Sequence, residues 1–174
     1  MIVIDRAEWR TMRWANGGGT THEVMIEPPG ATTDAFDWRI SVAEVHTPGP
    51  FSSLPGVDRL LLLIGGAGMS VHIDGVAHEA SRVTPLSFRG ESEALCESLA
   101  DGATLDLNVM VRRDRYSASL TVVPANSRVT CAVNERVVVF ALTTFTTVLA
   151  DFAEEITIAE ESAVIRLRAT STDD

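Results

Sequence analysis

Gly65-Gly66-Ala67-Gly68-Met69-Ser70-Val71-His72-Ile73-Asp74-Gly75-Val76-Ala77-His78-Glu79, running on through Pro85 to Arg89, decides the fold class. A glycine turn leads into Met69 to Ile73, where apolar residues recur at every second position, the period of a half-buried strand. Asp74-Gly75 follows, a dipeptide suited to the two positive φ angles of a type I′ hairpin turn. A strand follows that turn, and Val83 to Phe88, interrupted by Pro85, fits another. The same period recurs outward in both directions, at Val24 to Ile26, Trp38 to Val45, Leu60 to Ile64 and Leu105 to Val111. It continues at Ser119 to Val123, Arg128 to Val133, Arg136 to Leu142, Glu155 to Ala159 and Ala163 to Leu167. Turn residues punctuate these runs: Pro28-Pro29-Gly30, Pro48-Gly49-Pro50, Pro55-Gly56, Asp101-Gly102 and Pro124-Ala125-Asn126. Only Val148 to Glu155 leaves room for one or two helical turns. About eleven short strands with frequent turns predict an all-β chain, either a closed barrel or a double-sheet jelly roll, since both leave few exposed edges.

The length, 174 residues, is that of one domain and is enough to bury about 70% of the unfolded surface without a metal or disulfide. With 45% hydrophobic and 22% charged residues the chain is not disordered. No apolar run approaches the roughly 20 residues of a membrane helix, and Met1 to Arg6 lacks the basic-then-apolar order of a secretory signal, so the expected location is the cytoplasm. A net charge of −10 argues against nucleic acid, whose phosphates call for a concentrated positive surface. All 14 basic residues are Arg. From Ala150 onward seven acids stand against Arg166 and Arg168, which puts half of the net charge in that tail. Cys96 and Cys131 lie in apolar alternating segments and read as small core hydrophobes. No linker divides the chain, so residues 1–174 read as one compact unit, with a motif-bearing half up to about residue 120 and scaffolding strands from about 121 to 174.

Three places hold polar residues that packing does not require. The first is Trp14-Ala15-Asn16-Gly17-Gly18-Gly19-Thr20-Thr21-His22-Glu23, where three glycines offer backbone N–H groups for close approach to an anion or form a flexible turn. The second is Phe36-Asp37-Trp38-Arg39-Ile40-Ser41-Val42-Ala43-Glu44. Alternation sets Trp38, Ile40 and Val42 on one face against Arg39, Ser41 and Ala43 on the other, which is either solvated or turned into a lumen where a guanidinium holds a carboxylate. The third is Leu105 to Arg113, with Leu105, Leu107, Val109 and Val111 opposite Asp106, Asn108, Met110 and Arg112. Between the last two lies a Pro/Gly-framed loop, Pro50 to Arg59, ending in Asp58-Arg59, a pair that reads as a surface ion pair unless it faces inward.

Metal chemistry is not expected. His72 and His78 straddle the Asp74-Gly75 turn and with Glu79 read as a solvated strand pair, while His22-Glu23 lacks the second His of a helical zinc motif. Nucleophile motifs are absent as well: there is no Gly-x-Ser-x-Gly, and neither cysteine has a His nearby in sequence.

Taken in order, Trp14 to Gly19, Phe36 to Ser41, Gly49-Pro50-Phe51-Ser52, Pro55 to Arg59 and Asp106 to Arg113 resemble the HutD/Ves family of cupin-like proteins. The resemblance covers roughly Trp14 to Arg113, and Gly65 to Arg89 is laid out like the core hairpin of a cupin barrel. It implies a cupin-like (RmlC-type) jelly-roll barrel, a compact bicupin with a degenerate second half. It also implies a non-catalytic role in sensing or regulating a small acidic metabolite of histidine catabolism. The chain departs from the family pattern at Ala15, where the family has Lys, and at His22, where it has Arg.

On this reading Asn16 and the N–H groups of Gly17, Gly18 and Gly19 cradle an anionic or amide group, with Thr21 beside them. Arg39 pairs with a carboxylate, and Ser41 and Asn108 hydrogen-bond nearby. Asp58 orients Arg59 or Arg39, because an unpaired buried Arg is costly; Arg112 is a wall residue. No cofactor and no metal are expected. The expected partners are a small anionic metabolite and, as an open option, a second copy of the chain in a homodimer; no membrane and no nucleic acid are expected. The alternative is a metal-independent cupin enzyme, an isomerase or lyase acting on a small carboxylic acid with His22 or Asp58 as acid/base. A third reading makes the acidic tail from Ala150 the contact of an interaction module, which deletion of Thr170 to Asp174 would disturb.

Overall fold

The computed structural model describes residues 1–151 and 154–170. Its strands are β1 (Ile2–Ile4), β2 (Arg10–Arg13), β3 (Gly19–Glu27), β4 (Trp38–Val45), β5 (Gly49–Pro50), β6 (Val57–Gly65), β7 (Met69–Ile73), β8 (Val76–Glu79) and β9 (Leu86–Arg89). They continue with β10 (Ala94–Leu99), β11 (Thr104–Arg112), β12 (Tyr116–Val123), β13 (Arg128–Thr130), β14 (Glu135–Ala141), β15 (Thr147–Ala150), β16 (Glu155–Thr157) and β17 (Ser162–Ala169). A 3-10 turn at Arg6–Glu8 is the only helical element among the described residues. The Asp74-Gly75 turn has positive φ at both residues, +50° and +81°, as a type I′ hairpin requires.

The ladders form four sheets, with orders β2-β3-β4-β11-β6-β9, β5-β10-β7-β8, β1-β15-β14-β17-β12 and β13-β16. Of the two architectures that the strand pattern allows, these are sheets packed face to face, the jelly-roll arrangement, and not one closed ring. The six-stranded sheet lies in the middle and is buried on both faces. Trp38, Ile40 and Val42 from β4, and Leu107, Val109 and Val111 from β11, pack with Val138, Phe140, Ile165 and Leu167 of the five-stranded sheet in the largest core. The opposite face of the same strands turns toward the four-stranded sheet, where Ala43, Val45 and Leu63 meet Met69, Val71 and Cys96. The outer face of the five-stranded sheet packs Val137, Val139 and Val164 on Val129, Ile156 and Ile158. Each such aliphatic side chain contributes about 1.5–3 kcal/mol when fully buried.

Two segments differ from the sequence expectation. Val148 to Ala150, read as the start of a short helix, lies in β15 between β1 and β14. Its β-branched residues complete cross-strand pairs there, and tertiary pairing overrides a short local pattern. Residues 152–153 and the acidic residues Asp173 and Asp174 lie outside the described residues. The first strand crosses the molecule: Ile2, Val3 and Ile4 pair with Leu149, Val148 and Thr147.

Candidate functional site

Register places the polar face of the middle sheet. Asn108 lies opposite Ser41 on β4 and Leu61 on β6, while Met110 lies opposite Arg39 and Arg59. Opposed residues share a face, so Arg39, Ser41, Arg59, Asn108 and Met110 all point to the same side, toward the four-stranded sheet. There they line a cavity of about 610 Å³ whose walls include Trp14, Phe36, Phe51, Leu54 and Cys96. Asn16, Thr33, Asp34 and Thr47 also border it, together with the Gly49–Leu54 loop. The small side chains of Ser41 and Ala43 keep the floor low.

Two guanidinium groups approach this space from below, both buried. Arg39 Nε donates to Glu23 Oε2 at 2.8 Å, with side-chain exposures of 8% and 10%. Glu23 reaches it because it sits opposite Ser41 on β3, just before a β-bulge. Among the described residues, neither Nη group of Arg39 has a hydrogen-bond partner, and the Ser41 hydroxyl has none either. Arg59 stacks between Phe51 and Phe88, 5.3 and 5.1 Å from their ring centres. It donates to Asn108 Oδ1 at 3.2 Å and to the Ser52 carbonyl at 3.3 Å, while its buried Nε has no partner among the described residues. Burial pulls the Arg59 pKa down to about 10; Asp106 pulls the other way and Arg39 adds to the depression.

Deeper along the same face, beside Asn108, lies Asp106, fully buried. Its Oδ1 accepts from the Asn108 amide nitrogen, and its Oδ2 has no partner among the described residues. Desolvation pushes this carboxyl up to about 7, against the lowering effects of Asn108 and Arg59. A continuous chain therefore runs from Asp106 through Asn108 to Arg59 and the cavity. Cys96, on the opposite wall, has its thiol pKa raised first by burial and then by Asp106.

Several sequence-derived candidates sit elsewhere. The glycine triplet is the hairpin between β2 and β3: Gly17 N–H donates to the Trp14 carbonyl at 3.0 Å and Gly18 N–H to Asn16 Oδ1 at 2.9 Å. Those two amides are spent within the turn, and none of the three glycines lines the cavity. Gly19 is required for space, since a Cβ there would stand 2.5 Å from the Glu44 carbonyl oxygen and 2.9 Å from the Trp14 ring. Asn16 and Thr21 do line the cavity; the Thr21 hydroxyl accepts from Trp14 Nε1 at 2.8 Å and keeps its own proton to donate.

Asp58 points away from both arginines that it was expected to orient and pairs with Arg113 at 2.7 Å, because one step along a strand reverses the face. Arg113 also holds Glu91, whose carboxyl its hydrogen bonds keep down at about 2. Arg112 lies outside the cavity: it stacks on Phe36 and donates to the carbonyls of Pro55 and Asp34, tying together two loops that border the mouth. His22 faces Thr11 and Glu44, so neither acid/base candidate, His22 or Asp58, lines the cavity. His72 is paired with Glu97 at 2.9 Å.

The family model described as HutD matches residues 6–172. The chain belongs to the HutD family. Among HutD relatives, Protein Ves of Citrobacter koseri is 40% identical over 111 residues, 63% of this chain and 56% of that protein. A 21.2 kDa protein in the hutC 3′ region of Pseudomonas putida is 33% identical over 130 residues, 72% of this chain and 66% of its own length. The chain thus spans between about half and two thirds of the length of these curated relatives. The solved HutD structure from Pseudomonas fluorescens SBW25 superposes with a TM-score of 0.86 at 27% identity, covering 98% of this chain and 99% of that one. A Pseudomonas aeruginosa PAO1 protein of unknown function gives a TM-score of 0.82 at 24% identity, with 98% of each chain covered. The cupin-like jelly roll is therefore the fold of this HutD chain.

Three of its site residues had no role in the sequence reading. Glu23 closed a quoted motif and Asp106 opened another, but their partners depend on a β-bulge and on cross-strand neighbours. Cys96 read as core and is a cavity wall. Only strand register, which a single chain does not spell out, brings these together.

Proposed function

We propose that this HutD-family chain is a non-catalytic binding protein for a small carboxylate, acting as a sensor or regulator in histidine catabolism. The observation that carries this reading is the convergence of two buried guanidinium groups on one cavity, one of them with both Nη groups unpartnered among the described residues. Guanidinium recognises carboxylate through paired N–H donors, and in a space largely closed to water each such bond is strong. Ser41, Thr21 and the Asn16 amide supply further donors around the same space. Trp14, Phe36, Phe51 and Met110 provide apolar surface for a short carbon skeleton. The protein's overall charge of −10 repels anions at long range, so selectivity rests on this local positive site. The link to histidine breakdown is supported by the family and by the hutC 3′ region named for the Pseudomonas putida relative.

The test is a thermal-shift panel of N-formiminoglutamate, N-formylglutamate, urocanate and succinate, with neutral amides as controls. A ligand at 100 times its Kd adds about 2.7 kcal/mol, a rise of roughly 5–11 °C for a chain of this size. A flat response to every acid, from protein with intact β circular dichroism, overturns the reading.

A further inference from the structure

We propose that Asp106, beside Asn108 on the cavity face of the middle sheet, is a positioning residue that takes up one proton from solvent when an anion enters the cavity at or above neutral pH, so that binding is coupled to pH. This rests on the carboxylate-site reading and names its regulation. Three observations carry it. Asp106 is completely buried, with its Oδ2 unpartnered among the described residues. Its Oδ1 holds the Asn108 amide, whose oxygen faces Arg59. Arg59 lines the cavity, has a buried Nε with no partner among the described residues, and its positive charge acts on Asp106.

The groups that face Asp106 are few. Arg59 comes from β6 and the Cys96 thiol from β10; its direct neighbours across the sheet are Ala43 and Leu63, and Arg39 with its Glu23 partner lies further along the same face. In the free protein the Asn108 hydrogen bond, and after it the positive charge of Arg59, favour the ionised carboxylate. A bound anion takes up that charge and adds a negative one a few side chains away. Both effects favour protonated Asp106, whose Oδ2 receives the proton. The carboxyl already titrates near 7 when the cavity is empty, so the coupling falls in the neutral range. Below pH 6 the proton is in place before the ligand arrives; above pH 8 it has to be gained, and affinity falls by up to tenfold per pH unit.

The experiment is isothermal titration of the full chain with succinate between pH 6 and 8.5, in pairs of buffers that differ in ionisation enthalpy. The expected results are a Kd that rises by up to about 30-fold across this range, and a net proton uptake approaching one above pH 7.5. Asp106→Asn, a neutral isostere, is expected to bind with a Kd independent of pH. Should that variant not fold, carbon-13 NMR of Asp-labelled wild type provides the second measurement: one carboxyl titrating near neutrality in free protein and moving up with saturating succinate. Succinate binding with a constant Kd and no proton uptake overturns this inference alone. Absence of binding at every pH by succinate and by each other acid of the panel overturns the carboxylate-site reading and the coupling with it.

Discussion

Replacing Arg39 by Ala separates two roles that the Glu23–Arg39 pair combines. Both side chains are at least nine-tenths buried and their contact is 2.8 Å, so removing one partner leaves the other charge stranded. Breaking a buried pair costs about 3–5 kcal/mol. The Nη side of Arg39 borders the cavity and is not packed against protein, which sets the expectation near the low end, about 3 kcal/mol. At about 2–4 °C per kcal/mol for a chain of this length, the melting temperature is expected to fall by about 6–12 °C. Glu23→Ala is expected to cost a similar amount, because it strands a guanidinium instead. The double variant Glu23→Leu/Arg39→Met removes both charges and keeps the volume, and such exchanges are close to neutral; its stability is expected within about 1 kcal/mol of wild type. Urea unfolding of wild type, Glu23→Leu, Arg39→Met and the double variant closes the cycle, and the acid panel is run on each. The double variant is expected to be stable yet blind to carboxylates, while Glu23→Gln keeps Arg39 and a ligand response. An additive cycle, or a cost below about 1 kcal/mol for Arg39→Ala, would refute the claim that this pair is held out of water.

Two further outcomes are expected. Gly19→Ala drives a Cβ into the Glu44 carbonyl and is expected to lose about 2–3 kcal/mol in urea unfolding. Gly17→Ala, in open space at φ +73°, is expected to lose only about 1 kcal/mol and to keep its ligand response. For pH, the folded Asp106 carboxyl stands at about 7, above the roughly 3.9 of an unfolded Asp. The folded state therefore binds more protons in that window, and stability falls as pH rises from about 4 to 7, by on the order of 4 kcal/mol from this group. Asp106→Asn is expected to flatten that segment of the urea-midpoint profile; an unchanged profile would contradict the assignment.

Alternation alone was enough to sort the faces of β4 and β11. Trp38, Ile40 and Val42 and their counterparts on β11 lie in the core, with Arg39, Ser41 and Asn108 on the other side. It was enough because period two is a local property of an extended chain. The Asp74-Gly75 turn was legible for the same reason. What failed was whatever depends on a neighbouring strand. The Asn16–Gly19 stretch offers N–H groups in isolation, but in the fold Trp14 and Asn16 itself consume two of them. Asp58 and Arg59 are adjacent in sequence and so point to opposite faces, which makes a local ion pair between them geometrically poor. Short polar strands such as β2 carry too little apolar contrast to be seen, and β15 is held as a strand by partners more than 100 residues away on one side.

The position of the middle sheet explains how the chain tolerates a polar cavity at all. A face that carries Arg39, Ser41, Arg59, Asp106 and Asn108 contributes little apolar burial, and desolvating those groups opposes folding. A two-sheet sandwich with that interior would have to recover the loss from the same core. Here the reverse face of each of these strands packs on the five-stranded sheet, where Trp38, Leu107 and Val109 meet Val138, Phe140 and Ile165 at essentially zero exposure. The strands from Tyr116 onward thus supply the hydrophobic stability that the cavity face forgoes. Rigidity follows from the same arrangement. A guanidinium mounted on a strand that is fixed on its reverse face loses little further freedom when an anion arrives, so more of each contact remains as affinity.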